Sequence, residues 1–411
     1  MGRPINLPRY LSRAPEGVLA PHLVSFAKDM LDRGYRSETV YMRTMASIAF
    51  SRWLTRRKIS VREVRWEHCA RFLRKQTKRV HIVKYYSVAL RQLLSFMRQQ
   101  RVIPLEPSPR RPIDPVDRCL KGYERYLREV RGLANVTIID YNWYVRPFLT
   151  GRFQGRRFRL SELCARDVVT YVDRTVVGWH STQAQHLAQA LRSFLRYARY
   201  CGALHQDLQG AVPSIASWRL SSIPKLIPPA HIRCLLERCD RSTAKGRRDY
   251  AILLLLVRLG LRSGEIARLE LNDIDWRAGC LRVRGKGTPG QLPLPVDVGR
   301  AIAAYLRNGR PSCPSRRLFL RVEAPIDGFH HPSAIGSMIR RLIRRTQLEF
   351  PTRGTHQFRH ALASQMLRGG ASLSEIGEVL RHRTANVTQI YAKVDLDKLR
   401  TLALGWPGGA S

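Results

Sequence analysis

The sequence predicts a mainly α-helical fold with one small β-sheet, divided among several domains. The chain has 411 residues, which is too long for one ordinary core, and 44% of them are hydrophobic, as in a globular protein. Apolar residues recur mostly at intervals of three and four, the spacing of a helix face. Residues 281–287 and 291–295 instead form two short runs around a glycine-rich turn, which predicts a β-hairpin.

The first half of the chain contains an internal repeat with an offset near one hundred residues. Three segments of the first copy recur in the same order in the second: 33–40, 65–73 and 89–103 match 131–138, 165–172 and 190–204. This order predicts two diverged copies of one small helical domain. Each copy has an apolar stripe that we expect to face its core, namely Leu90, Leu93, Leu94 and Met97 in one and Leu191, Phe194, Leu195 and Ala198 in the other.

Proline-rich stretches mark the predicted domain boundaries. Prolines break helices around residues 104–115 and again around 221–229. The predicted division is therefore a first helical copy at 1–110, a second at 114–215, and a larger mixed domain at 222–411.

The charge of the chain points to a polyanionic partner. Lysine and arginine number 72 against 31 acidic residues, which gives a formal net charge of +41 and a pI near 11.2. Such an excess repels itself unless a polyanion neutralises it, and nucleic acid is the commonest such partner. A basic surface without a specific partner is the alternative, and this charge disfavours it.

Cysteine usage and hydropathy exclude several classes of protein. The eight cysteines include no CxxC pair, which argues against a zinc site and a disulfide framework. The N-terminus lacks an apolar signal core, and the apolar run at 251–257 is too short to span a bilayer. We therefore expect a soluble cytoplasmic protein with no metal, no cofactor and no membrane contact.

The last domain contains a series of conspicuous polar residues. Arg262 follows the apolar run 251–261 and precedes Glu265 by three positions, and Lys286 is flanked by glycines. Further along the chain come His356 and Arg359 in an HxxR pattern, His360, His382, and Tyr391 nine residues later. Lys286 is also the only lysine between positions 245 and 393, in a region that otherwise uses arginine.

In order and spacing these motifs resemble the tyrosine recombinase (phage integrase) family, over roughly residues 224–400. The resemblance implies DNA strand cleavage by a tyrosine, with religation and without a metal. It assigns the catalytic roles to Arg262, Lys286, His356, Arg359, His382 and Tyr391. It also implies that the two helical copies are core-binding-like (SAM-like) domains preceding a mixed α/β catalytic domain.

The implied roles agree with the chemistry of these residue types. Attack on a phosphodiester places negative charge on two non-bridging oxygens, which Arg262 and Arg359 can stabilise by paired hydrogen bonds. Lys286 can protonate the leaving 5′ oxygen, whereas guanidinium holds its proton too tightly. By resemblance His356 manages the proton of the Tyr391 nucleophile, and His382 bonds the scissile phosphate.

The chain departs from the family pattern at two positions. Arg381 stands where the family usually has glycine before its second histidine, so the local turn is expected to differ. After the hairpin lysine, the polar Gly290-Gln291 replaces the more usual basic residue. Between these positions, residues 372–382 predict a capped helix that leads to Tyr391.

The resemblance further implies a homotetramer on double-stranded DNA, alone or with partner recombinases, that integrates or excises a mobile element on the bacterial nucleoid. Two alternatives stay open at this point. One is a type IB topoisomerase, which uses the same strand chemistry without exchanging partners. The other is a non-catalytic DNA-binding factor that helps partner recombinases to assemble.

Overall fold

The structure is a computed structural model that describes residues 16–76, 80–104, 114–155, 157–216, 227–285, 290–352, 354–382, 384 and 387–394. By contacts the chain divides into two compact units. One comprises Met1–Leu105 together with Ser222–Ser411, and the other is Glu106–Ser221. None of the helices in the described ranges is long and apolar enough to cross a membrane.

The first helical set surrounds a core of its own. Its helices are α1 (Ala20–Asp32), α2 (Ser37–Arg56), α3 (Trp66–Gln76) and α4 (Val80–Gln99). A 3₁₀ turn at Val61–Glu63 precedes α3, and Ser60 and Glu63 cap it reciprocally. The predicted stripe on α4 is buried, since Leu90, Leu93, Leu94 and Met97 are at most 1% exposed.

The second helical set repeats this order of elements. Its helices are α5 (Pro115–Arg125), α6 (Asn135–Phe153), α7 (Ala165–Thr175) and α8 (Ser181–Tyr200). A π-helical turn, Tyr126–Val130, extends α5, and a 3₁₀ turn, Leu160–Glu162, again precedes the third helix. Leu191, Phe194, Leu195 and Ala198 are buried, so the core face predicted for this copy is also confirmed.

The C-terminal part is a helical domain with a small sheet. Its helices are α9 (Pro229–Glu237), α10 (Ala244–Arg258), α11 (Ser263–Arg268), α12 (Val296–Asn308), α13 (Ser333–Thr346), α14 (His356–Arg368) and α15 (Leu373–Val379). Its strands are β1 (Ile274–Asp275), β2 (Cys280–Val283) and β3 (Gly290–Pro293), which form an antiparallel sheet in that order. The predicted hairpin is thus β2 and β3, with Val283 opposite Gly290, and β1 is an addition that the sequence did not predict.

Helix α10 is the centre of the C-terminal core. Thr243 caps its N-terminus by accepting a hydrogen bond from the backbone N–H of Gly246, at 3.0 Å. Residues 251–256 are all buried, because other elements of the core surround this part of the helix on every side. The chain therefore leaves α10 at a rigid position, and the conspicuous Arg262 follows four residues later.

The first helical set contacts the C-terminal part within the same compact unit. The backbone N–H of Ile326 donates to the carbonyl of Arg33 at 2.9 Å. Next to it Gly34 has φ +79°, and a Cβ there would lie 2.4 Å from the Ile326 side chain. This close approach requires glycine on both counts.

Apolar cores form separately within 19–103, 116–212 and 227–358. Contacts nevertheless join the first and the last of these ranges in one compact unit. The two domain boundaries inferred from the prolines, and the three domains that they separate, therefore stay predictions. All eight cysteines lie in the described ranges, and none of them forms a disulfide there.

We predict that truncating a buried valine in the second helical set destabilises the protein much more than truncating an exposed one. Val168 is 0% exposed and Val177 is 77% exposed. Val168→Ala removes two buried carbons and leaves a cavity, so it should lower the free energy of unfolding by about 2 kcal/mol. Val177→Ala should change it by less than about 0.5 kcal/mol. Urea unfolding followed by circular dichroism measures both, and equal effects would contradict the packing described.

Candidate active site

Glu265 lies at the centre of a group of charged residues. The backbone N–H of Arg262 donates to Oε2 of Glu265 at 2.9 Å, and Nη1 of Arg262 donates to Oε1 at 2.9 Å. The carboxylate thereby caps the N-terminus of α11 and orients the guanidinium that precedes it. Glu265 is 2% exposed, and the Arg262 side chain is 24% exposed. Arg262 is therefore held firmly but still faces solvent.

Arg381 is a second arginine on the same carboxylate. Its Nη2 donates to Oε2 of Glu265 at 2.8 Å, and both side chains are nearly inaccessible to solvent. Arg381 follows α15 with φ 52°, the left-handed conformation that usually selects glycine. The backbone turn therefore keeps the shape that a glycine would adopt, at a cost of about 1–2 kcal/mol for a residue with a side chain.

Arg359 joins the two segments that carry these arginines. From α14 its Nη1 donates to the carbonyl of Gly260 at 2.7 Å, and its Nη2 donates to the carbonyl of Leu380. One side chain thus binds the turn before Arg262 and the end of α15. Burial, followed by the nearby charge of Arg262, lowers the pKa of Arg359 to about 10, so it remains protonated at neutral pH.

The hydroxyl of Tyr391 lies against a histidine on α14. Nδ1 of His360 is 2.9 Å from the Tyr391 hydroxyl oxygen. Tyr391 lies in a 3₁₀ segment, Gln389–Val394, and is 2% exposed. Burial raises the pKa of this phenol to about 12, and the charges of Arg359 and Arg262 act in the opposite direction. The arginines are thus close enough to favour the phenolate.

The histidines of the site are kept neutral by their surroundings. Nδ1 of His382 lies 2.8 Å from the Thr388 hydroxyl, and burial, then Arg359 and Arg262, lower the pKa of His382 to about 4. His356 is exposed, but the part of its ring that packs against the protein is desolvated. This desolvation, followed by the charges of Arg359 and Arg262, lowers the pKa of His356 as well. Burial is also the main cause of the lowered pKa of His360.

The structure brings together most of the residues that the sequence singled out. His356, His382 and Tyr391 each interact electrostatically with both Arg359 and Arg262, so these five form one cluster. Lys286 lies outside the described residues. Both ends of the hairpin that carries it, at Gly285 and Gly290, are described.

Two residues matter more in the structure than the sequence suggested. His360, which sequence analysis gave no catalytic role, holds the hydroxyl of Tyr391; its only signal was its place next to Arg359. Arg381 was noted only as a departure, because nothing in the sequence couples it to Glu265, 116 positions away. Within the part of the chain that the structure describes, no group of histidine, cysteine and acidic side chains could hold a metal ion.

The predicted helix before Tyr391 is confirmed with a shorter span. Ser372 and Glu375 form the expected capping box at the start of α15. The helix ends at Val379, because Arg381 turns the backbone into the left-handed region. His382 consequently lies beyond the helix and not within it.

The family model described as the phage integrase family matches residues 225–397. Over 406 residues the chain is 48% identical to the putative integrase/recombinase y4rA of Sinorhizobium fredii, with 99% of both chains covered. It is 30% identical over 298 residues to the tyrosine recombinase XerC of Myxococcus xanthus, covering 68% of this chain and 94% of that one.

Solved structures show the same fold. XerH site-specific recombinase, bound to a palindromic difH substrate, aligns with a TM-score of 0.58 at 16% identity, covering 71% of this chain and 97% of that one. A lambda integrase dimer bound to a COC′ core site aligns with a TM-score of 0.52 at 15% identity, covering 67% and 94%. The chain therefore belongs to the phage integrase family of tyrosine recombinases, which confirms the family, the enzyme class and the mainly α fold predicted from its sequence.

Proposed function

We propose that this recombinase cleaves and rejoins double-stranded DNA at specific sites through a 3′-phosphotyrosyl intermediate on Tyr391. The observation that carries the proposal is the position of the Tyr391 hydroxyl. It lies 2.9 Å from a neutral histidine and within the electrostatic influence of Arg262 and Arg359. A phenol becomes a good nucleophile when a base accepts its proton and positive charge stabilises its phenolate.

In the proposed cleavage step the oxygen of Tyr391 bonds to phosphorus and the bond from phosphorus to the 5′ oxygen breaks. Arg262 and Arg359 stabilise the charge on the two non-bridging oxygens by charge-assisted hydrogen bonds. Lys286 gives its proton to the departing 5′ oxygen. Religation reverses these transfers with the 5′ hydroxyl of another strand, so the energy of the phosphodiester bond is conserved.

The geometry supports a different role for each histidine of the site. His360 accepts the proton of Tyr391, because its Nδ1 already faces that hydroxyl and its lowered pKa leaves it neutral at pH 7. His382 bonds the scissile phosphate through Nε2, since its Nδ1 is occupied by Thr388. His356, exposed at the start of α14, assists at the phosphate or at the nucleophile.

Duplex DNA is the proposed partner. The net charge of +41 requires a polyanion, and both XerH and lambda integrase were solved with DNA bound. The two helical sets would add contacts with phosphates and so lengthen the footprint on DNA. A homotetramer on two duplexes, partner recombinases, and integration or excision of a mobile element on nucleoid DNA complete the proposal.

We predict that Tyr391→Phe abolishes covalent attachment to DNA. Purified protein is mixed with duplexes from the ends of the encoding element, nicked at successive positions so that a cleaved fragment escapes before religation. The wild type should give a slow-migrating band on a denaturing gel, and protease treatment should remove it. Tyr391→Phe should give none while binding DNA equally well, because only the nucleophilic oxygen is lost.

Tyr200→Phe provides the matched control, because Tyr200 is 67% exposed and lies outside the cluster. It should attach to DNA like the wild type. A wild type that binds these duplexes, with partner recombinases also supplied, and never becomes attached would favour the DNA-binding accessory role. The burial of Tyr391 makes that second function worth testing.

We predict that the rate of cleavage falls with decreasing pH as His360 becomes protonated. Protonated His360 cannot accept the phenol proton, and its pKa lies below the ordinary value of 6.5. Activity should therefore persist to pH values below 6.5 before it declines. His360→Gln should slow cleavage by roughly 100-fold or more, since it keeps a polar side chain but loses the base.

Single-turnover cleavage across a range of pH measures this effect, with the exposed His205→Gln as the control. If His360→Gln cleaved at the rate of the wild type and with the same pH profile, another group would have to accept the proton. His356 would then be the candidate, as the family resemblance implies.

A further inference from the structure

Arg381 differs from the other side-chain-bearing residues that adopt the left-handed backbone conformation. In the described part of the chain these are Lys58, Arg101, Gln347 and Arg381. The first three are exposed, whereas Arg381 is 6% exposed. Its backbone is therefore strained and its charge is buried, and both lower the stability of the fold unless contacts of the side chain compensate.

The contacts of Arg381 compensate for these costs only in part. Nη2 is bonded to Glu265, but Nε and Nη1 have no hydrogen-bond partner among the described residues. Buried donors without partners destabilise a fold. A residue selected for stability alone would not combine strain with two such donors, which points to a role for Arg381 in the site.

The ion pair between Arg381 and Glu265 packs against the two described ends of the hairpin that carries Lys286. A Cβ on Gly290, the first residue of β3, would lie 3.3 Å from Cδ of Arg381. A Cβ on Gly285, at the end of the preceding strand segment, would lie 2.9 Å from Cγ of Glu265. One end of the hairpin connection thus rests on each partner of the pair, and Lys286 follows Gly285 directly in the chain.

We propose that Arg381 is a positioning residue that sets the placement of the hairpin carrying Lys286. Together with Glu265 it forms the support for both ends of the hairpin, and through Glu265 it is linked to Arg262. This inference rests on the proposed function, in which Lys286 protonates the departing 5′ oxygen. Loss of the Arg381 side chain should therefore impair proton transfer to the leaving group more than nucleophilic attack.

Arg381→Gly separates this role from folding. Glycine adopts φ 52° without strain, and Glu265 keeps Arg262 as an ion-pair partner, so the variant should still fold, which thermal unfolding checks. Its cleavage rate should nevertheless fall by roughly 10- to 100-fold, the usual consequence of misplacing a reacting group by about 1 Å. Arg381→Lys keeps the positive charge but loses the planar guanidinium group. Its cleavage rate should lie between those of the wild type and Arg381→Gly.

The test compares two leaving groups on otherwise identical nicked duplexes. One duplex has oxygen at the 5′ bridging position of the cleaved bond, and the other has sulfur there. A thiolate leaves without being protonated, so sulfur removes the need for Lys286. Single-turnover rates at saturating protein, together with DNA affinity, are measured for each variant.

We expect Arg381→Gly to be slow on oxygen and within a few-fold of the wild type on sulfur, as Lys286→Ala should be. Arg262→Ala should be slow on both, since the charge on the phosphate oxygens is the same. Gln347→Gly is the matched control for the backbone change, because Gln347 is an exposed left-handed residue with φ 58°; it should match the wild type on both duplexes.

Two results would overturn the inference while leaving the proposed function intact: wild-type rates for Arg381→Gly on the oxygen duplex, or an equal slowing on oxygen and sulfur. Wild-type protein that attaches covalently to neither duplex would overturn the proposed function, and this inference with it.

Discussion

The buried carboxylate of Glu265 is the interaction on which the rest of the site depends. A carboxylate with 2% exposure is tolerated only when it is paired and hydrogen-bonded. Glu265 satisfies this because Oε1 binds the guanidinium of Arg262, and Oε2 binds both the guanidinium of Arg381 and the backbone N–H of Arg262. Its partners come from the turn before α11 and the end of α15, which are distant in the sequence. Removing the carboxylate would leave two guanidinium groups facing each other without compensation, so we regard it as the anchor of the cluster.

Arg359 completes this arrangement with hydrogen bonds instead of an ion pair. Its donors bind the carbonyls of Gly260 and Leu380, and these carbonyls belong to the same two segments that Glu265 joins. The result is an excess of positive charge in a partly dry site. That excess, together with burial, keeps the histidines neutral, and it opposes the rise that burial causes in the pKa of Tyr391. Neutral bases and a phenol beside fixed cations are what the proposed attack on a phosphodiester requires.

The helical sets before this site add a second theme, the repetition of one arrangement. Each set has four helices, of which the second and fourth are long. A 3₁₀ turn precedes the short third helix in both sets, and each set has a core of its own. The two sets thus add helical surface to that of the catalytic part, in a chain whose net charge is +41. In the proposed function, repetition of such a unit lengthens the surface available to phosphates, whose contacts need no particular base sequence.

The sequence by itself determined the helical character, the repeat, the hairpin, the family and the order of the polar motifs. It could do so because apolar periodicity, turn residues and capping pairs such as Ser372 and Glu375 are local properties. Only the tertiary structure decided that His360 faces the hydroxyl of Tyr391 and that Arg381 shares Glu265 with Arg262. The reason is physical: these contacts join segments 31 and 116 residues apart, and they arise from packing and charge compensation that no local pattern records.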